Sequence, residues 1–323
     1  MLFRQLEYFV AVARERHFAR AAQSCYVSQP ALSAAIAKLE RELNVTLINR
    51  GHAYQGLTPE GQRLVVWAKR ILAEQEAFKT EVAAVRSGVT GTLRLGTDPT
   101  ASTTPALPVA AFCAAHPRAR VQVRSRLSTG ELHRRLRDFE LDAAIAHFGP
   151  GDREGLQVVP LYRERYVLLV AEDRPASRDT TVTWTEAARL PLALLTPDMD
   201  VRRLIDDVFA EKGCVVTPQV ETDSIAALYA HVGSGDRASV IPHTWLRAMP
   251  VNGRIRALPL VDPEAGAQIS VAIHAGTPGS VAARAFLDAA TGLGLDEVFG
   301  RPLPHERPVA PSQPRHFETS ARP

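Results

Sequence analysis

Two short apolar-periodic segments, Phe18–Ser24 and the stretch opened by Ser28-Gln29-Pro30, are separated only by Cys25-Tyr26-Val27. Ahead of them Leu6, Phe9, Val10 and Ala13 recur at helical spacing, with Arg4, Glu7, Arg14 and Glu15 facing away, which predicts an amphipathic helix over about residues 3 to 16. Ser28 suits an N-cap, and Pro30 is tolerated in the first turn, where its missing amide proton costs nothing. Two helices joined by so tight a connection predict a helix-turn-helix, whose second helix enters the major groove of DNA.

On that second helix Leu32, Ile36 and Leu39 form the stripe to be buried, leaving Ser28, Gln29 and Ser33 at the exposed N-terminal end. Short hydrogen-bonding side chains there approach base edges and phosphates; the alternative is that Ser28 only caps and the others are solvated. Leu43 to Arg50 and the polar stretch to Leu57 read as a strand-like wing carrying Arg50 and His52. Charge supports a polyanion-binding module: residues 1 to 88 hold 12 Lys and Arg against 8 Asp and Glu, and the remainder 26 against 27.

Phe18-Ala19-Arg20-Ala21-Ala22, Val27-Ser28-Gln29-Pro30-Ala31-Leu32-Ser33, Leu39-Glu40, Leu47 to Arg50 and Leu57-Thr58-Pro59-Glu60-Gly61 together resemble the DNA-binding domain of LysR-type transcriptional regulators. The resemblance implies a winged helix, a long dimerising linker helix and a two-lobed effector domain. Its candidate DNA contacts here are Arg20, Ser28, Gln29, Pro30, Ser33, Arg50, His52 and Thr58. Ala19 stands where the family usually has Ser or Thr, and Ala34 and Ala35 where it has larger polar residues, so readout leans on Ser28, Gln29, Ser33 and Arg50.

Thr58-Pro59-Glu60 is an N-cap with Pro at the first helical position and an acid against the helix dipole. From there Leu64, Ala68, Ile71, Gln75, Phe78, Val82 and Val85 step alternately by four and three, a heptad seam that predicts a helix pair between subunits. Packing against the chain's own body is the alternative, but Gly88 and Gly91 mark an exit before the next domain.

Beyond Thr92 short apolar runs alternate with amphipathic segments: Leu93 to Gly96, Val121 to Val123, Leu141 to Ala146 and Tyr166 to Ala171, then Leu192 to Leu195, Val215 to Val220, Ala238 to Ile241 and Ile269 to His274. This predicts open parallel α/β sheets in two lobes. The fold class is therefore α/β, and the LysR-type resemblance implies an N-terminal winged helix-turn-helix (1–58), a linker helix (59–88), and an effector domain (89–300) in which the chain crosses between two lobes and back, like periplasmic binding proteins. On that basis lobe one is placed at 92–162 with 267–300 and lobe two at 163–266, and residues 301–323, with six prolines and no periodicity, read as a disordered tail.

Ligands of open α/β sheets sit beyond the carboxyl ends of the strands, near helix N-termini. The hydroxyls and amides there are Thr100 and Ser102, Ser128 and Thr129, His147, Thr196 and Thr222, with Arg202 and Arg203 adjacent. They suit a small organic anion acting as co-inducer in the interlobe cleft, although each hydroxyl alone serves equally as a helix cap. Arg202 and Arg203 call for a carboxylate such as Asp198 or for a ligand, and His147 is able to titrate near neutral pH.

Cys25, Cys113 and Cys214 are odd in number and widely spaced, which predicts neither disulfides nor a metal site and leaves a thiol trigger as an alternative mode of control. No phosphate loop, nucleophile elbow, metal-ligand pair or dinucleotide fingerprint is present, so no enzyme is expected; Asp142 reads as a turn carboxylate. With no signal-peptide pattern and no run of 18 uncharged apolar residues, the expected setting is the cytoplasm, without a membrane partner. The expected partners are duplex promoter DNA, a small-molecule effector, further copies in a homodimer or homotetramer, and RNA polymerase.

Overall fold

The computed structural model describes residues 1–50, 54–174, 180–249, 254–276 and 280–300. It forms two compact units, Met1–Leu161 with Ile269–Leu293, and Tyr162–Gln268 with the described residues from Gly294 onward. The expected tail, 301–323, lies outside the described residues, as does His52.

The first unit opens with α1 (Phe3–Glu15), α2 (Phe18–Ser24) and α3 (Gln29–Leu43), then an antiparallel wing of β1 (Ile48–Arg50) and β2 (Tyr54–Leu57). Arg16 and Asn44 end α1 and α3 in the left-handed region, at φ of 51° and 49°. Leu6, Phe9, Val12, Leu32, Ile36, Leu39, Leu47 and Ile48 close one core, each at most 4% exposed. Burying such a side chain contributes about 2 kcal/mol, an upper estimate, so the seven-residue α2 is held by packing rather than by its own propensity.

The linker is α4 (Pro59–Ser87), 29 residues long. Its predicted seam does not stay on one surface. Ala68 is only 2% exposed and belongs to the winged-helix core, and Leu64 and Ile71 pack against that core, whereas Phe78, Val82 and Val85 are 70%, 48% and 83% exposed. The expectation that Ala68 pairs with a second subunit is thereby corrected. A straight helix drifts about 20° per heptad, so a seven-residue repeat that begins against the chain's own core ends on another face.

The body continues with β3 (Gly91–Thr97), α5 (Ala106–Ala115), β4 (Ala119–Arg124), α6 (Thr129–Arg137), β5 (Ala143–His147) and β6 (Leu156–Ala171). It goes on through β7 (Val182–Thr183), α7 (Trp184–Ala187), β8 (Ala193–Leu195), α8 (Asp200–Glu211), β9 (Val220–Thr222), α9 (Ile225–Gly233), β10 (Ser239–Pro242), β11 (Ile255–Val261), β12 (Gly266–His274), α10 (Val281–Thr291) and α11 (Leu295–Gly300). In the first unit β4, β3, β5 and β12 lie in that order, with β3 parallel to β4 and β5, and β12 antiparallel to β5. In the second, β10 and β11 are antiparallel to β6, β7 is parallel to β11, and β8 pairs β9 in parallel.

The sheets are mixed, not wholly parallel, because a chain that leaves a unit along one strand returns along another of opposite sense. The strand expected from Val215 shrinks to β9: Pro218 cannot donate to a ladder, and Val215 is 96% exposed. Residues 294–300, expected in lobe one, belong to the second unit, where Phe299 stacks on Tyr162 at 4.6 Å and its carbonyl lies 3.0 Å from His243 Nε2. That unit's core centres on Trp184, edge-on to Phe209 at 5.2 Å. Among the described residues no helix is long and apolar enough to cross a membrane.

Candidate DNA-binding and effector sites

The turn between α2 and α3 is made by Tyr26 at φ 56°, with Val27 N–H donating to Ala22 O. His17 Nδ1 caps α2 by accepting from Ala19 N and Arg20 N, and Ser28 Oγ caps α3 by accepting from Ala31 N at 3.4 Å. The outward face of α3 carries Gln29, Pro30, Ala31, Ala34 and Lys38, all exposed, while Ser33 is half-buried. Lys38, two turns along from Ala31, is a cation on this face that the reading of the helix start alone passes over. Arg20 is exposed and donates to Glu15 O at 2.7 Å, which leaves its other N–H groups outward.

The wing is pinned to α3 by Glu40, whose Oε1 accepts from Leu47 N at 2.9 Å and Ile48 N at 3.2 Å. Arg50 sits in β1 opposite Tyr54, with its side chain outside the described set. Thr58 is no DNA contact: it is 7% exposed, its Oγ1 donates to Thr46 O at 2.7 Å and accepts from Gly61 N at 2.9 Å, so both roles are used in capping α4. Gly61 follows from the same packing, since a Cβ there would lie 2.0 Å from Leu47 O.

Along α4, Trp67 (57% exposed) and Phe78 form an apolar strip with Ile71 and with Phe3 of α1, and the Arg70 guanidinium stands 5.7 Å over the Trp67 ring. The same helix meets the body of the first unit through Lys69, 2.7 Å from Asp138 and 3.6 Å from Glu140.

Beyond β3 the chain turns through Thr97 and Asp98, 0% and 1% exposed, into a short helical turn at Thr100–Ser102. Asp98 Oδ1 accepts from Ala101 N at 2.7 Å and shapes the loop. Thr97 Oγ1 and Thr103 Oγ1 are buried and meet no partner among the described residues. Ser102 is half-buried; Thr100 lies here too, its side chain outside the described set. Ser128 caps α6 in a capping box with Glu131, and Thr129 Oγ1 reaches His147 O at 3.4 Å, so the loops after β4 and β5 come together in the first unit.

In the second unit Thr196 N–H donates to Thr222 O at 3.1 Å, and Thr222 Oγ1 accepts from Ser224 N at 3.1 Å. Arg202 is corrected from ligand contact to internal strut. Its side chain is 6% exposed, with Nε 2.8 Å from Asp206 and Nη1 2.8 Å from Glu221, and Nη1 also donates to Leu195 O. Arg203, not Arg202, reaches the Asp198 backbone carbonyl and pairs with Asp200. The three cysteines are free, and no group of three or more metal-ligating side chains exists among the described residues.

Two family models cover most of the chain: the bacterial regulatory helix-turn-helix of the lysR family over residues 3–62, and the LysR substrate binding domain over 86–293. A probable hydrogen peroxide-inducible genes activator of Streptomyces viridosporus is 32% identical over 277 residues, 84% of this chain and 88% of that protein. An SDS degradation transcriptional activation protein of a Pseudomonas strain is 33% identical over 263 residues, 80% and 84% of the two chains. A substituted full-length OxyR of Pseudomonas aeruginosa superposes with a TM-score of 0.72 at 27% identity, over 90% of this chain and 98% of that one. A capped recognition helix, a pinned wing and a body matched along its length by the substrate-binding model place the chain in the LysR family of DNA-binding transcriptional regulators, not among enzymes.

Proposed function

We propose that this regulator works in the cytoplasm and that a small organic anion, held by the strand-end loops of its first unit, sets its affinity for a promoter. The buried, unpartnered hydroxyls of Thr97 and Thr103 carry this reading. A buried donor without a partner is costly, and a ligand oxygen placed in the loop satisfies it. Ser102, Ser128, Thr129 and His147 frame the same loops, with Thr100 beside them, while Thr196 and Thr222 offer the strand-end loops of the second unit.

The division of labour follows: residues 1–58 bind DNA through Gln29, Pro30, Ser33, Arg20, Arg50 and Lys38, with His52 as a further contact. Residues 59–88 join subunits, and 89–300 sense the effector. The apolar strip of Trp67, Ile71, Phe78 and Val82 joins chains in a homodimer or a homotetramer, and RNA polymerase is met at the promoter. Ligand control is then a population shift, which requires the anion to bind one assembly state better than another.

Thermal unfolding of the full chain against a panel of organic and inorganic anions tests the effector. At about 100 times the dissociation constant a ligand adds roughly 2.7 kcal/mol to the folded state. The shift is expected to vanish in Ser102→Ala and Thr129→Ala; no shift with any anion sinks the anionic effector. A second reading, favoured by the relatives named for hydrogen peroxide induction, makes a thiol the trigger. Mild peroxide should then alter promoter binding in the wild type and not in a protein lacking Cys25, Cys113 and Cys214; unchanged binding removes it.

A further inference from the structure

Residues 116–137 hold seven arginines and a single acid, Glu131, inside an effector region that is otherwise acidic. Arg118, Arg120, Arg124 and Arg126 fall at alternate positions through β4 and its flanks, so with Gln122 they share one face, and β4 is the outermost strand of its sheet. All four are exposed. α6 packs on the same side: Gly96 is the register partner of Arg124, and a Cβ on Gly96 would meet the Leu132 side chain. Arg134, Arg135 and Arg137 of α6 extend the basic surface.

These charges differ in how they are met. Arg134 has Asp138 at 3.6 Å and Arg135 has Glu131 at 3.5 Å, whereas Arg118, Arg120 and Arg124 have no carboxylate partner among the described residues. Blunting an edge strand against aggregation explains a charge or two, but not a row of three on one strand face without a carboxylate partner. Alternate residues on a strand lie about 6.7 Å apart, close to two phosphate steps of a DNA strand at about 3.4 Å each along the axis.

The body that carries this face is joined to the DNA-binding module. The turn that ends α6 lines a cavity of about 510 Å³ with Val10 and Arg14 of α1, and its Asp138 is bonded to Lys69 of α4. DNA gripped by the winged helix is therefore tethered to this body at high effective concentration, where even a weak contact counts. We propose that the face formed by Arg118, Arg120 and Arg124 of the first unit is a second, sequence-independent contact for the backbone of duplex DNA flanking the site read by the winged helix. The proposal rests on the family's DNA binding and adds a contact made by the effector-binding body. A uniform polyanion matches a row of arginines at multiples of the two-residue strand repeat better than the irregular charges of an acidic protein do.

The test compares the full-length wild type with the triple variant Arg118→Ala, Arg120→Ala, Arg124→Ala on two duplexes. One is the shortest upstream DNA that binds with sequence preference, and the other is the same DNA extended on each side by about 20 base pairs of random sequence, about two helical turns. On the extended duplex the slope of log K against log salt should become shallower by up to about 2.7 in the variant, and on the short one it should not change. The corresponding triple lysine variant should restore the slope. Equal slopes on the extended duplex overturn the proposal, and if transcription by purified RNA polymerase falls while they stay equal, the face belongs to an acidic protein. Equal weakening on both duplexes, with unfolding unchanged, also overturns it, since the arginines then act through the winged helix. Absence of any salt-sensitive binding by the wild type would instead indict the DNA binding itself.

Discussion

Lys69 on the linker helix and Asp138 at the end of α6 are bonded at 2.7 Å, each only about one-fifth exposed. Glu140 stands 3.6 Å from the same ammonium, and Arg134 3.6 Å from the same Asp138, so four charges tie the linker to the body of the first unit. A partly buried, networked pair is worth more than an isolated surface pair, about 1 kcal/mol. Lys69→Met and Asp138→Asn should each cost about that much, and the double variant should cost less than their sum. Additive losses in chemical denaturation would mean that the pair is not coupled.

Gly61 yields a sharper prediction because two effects oppose each other. In an isolated helix Gly→Ala is favourable by about 1 kcal/mol. Here the added methyl would lie 2.0 Å from the Leu47 carbonyl oxygen, a backbone atom held by the wing. Overpacking of this kind costs about 1 to 3 kcal/mol, so Gly61→Ala should lower stability and weaken promoter binding by displacing the wing. A stabilised variant would show that the first turn of α4 shifts away from Leu47 without penalty.

What was legible in the sequence follows the range of the forces involved. The stripe Leu32, Ile36, Leu39 and the caps Ser28 and Thr58 are set by neighbours within one or two turns, and the structure places them as the spacing predicts. For Ala68, a heptad states that a face is apolar and not which surface covers it; the winged-helix core covers it here. Arg202 looked available because one partner, Glu221, lies nineteen positions away in another strand. β11 was hidden by Pro259 within it, yet it pairs with β6 through five register positions. In the effector loops, the hydroxyls of Thr97 and Thr103 are set apart by their burial without a partner, which no local spacing encodes.

His274 ties stability to pH. Its Nδ1 accepts from Gly276 N at 2.9 Å, its ring lies 4.5 Å from Phe139, and around it stand Arg70 and Glu74 of α4 and Arg137 of α6. Burial first, then the Arg70 charge, hold its pKa below the ordinary 6.5 against an opposing pull from Glu74, with Arg137 adding least, in the same direction as Arg70. The unfolded chain therefore takes up the proton first as pH falls, so stability contributed by neutral His274 is present above about 6.5 and is lost below it, down to the folded pKa. Denaturation at several pH values should show the wild type losing stability relative to His274→Gln across that window. Parallel curves would place the histidine outside the linkage.

Phe78→Glu tests the strip on α4. Phe78 is 70% exposed in the single chain, and a charge there should cost the monomer little while opposing any pairing that covers Trp67 and Phe78. Sedimentation should report a smaller assembly than the wild type, with thermal unfolding of the winged helix nearly unchanged. An unchanged assembly would move the subunit contact elsewhere.

Arg202 separates a strut from a ligand contact. Burial lowers its pKa, and hydrogen bonds to Asp206 and Glu221 more than offset that, so the guanidinium is held above its ordinary value. Removing one partner of a buried pair costs about 3 to 5 kcal/mol when the other is left dry. Asp206 and Glu221 are 40% and 42% exposed, so Arg202→Met leaves them partly solvated and should cost less, about 2 kcal/mol. At a temperature where the variant is folded, its response to any effector that shifts the wild type should persist. A lost response with stability intact would return Arg202 to the ligand and remove its role as a strut between β8, β9 and α8.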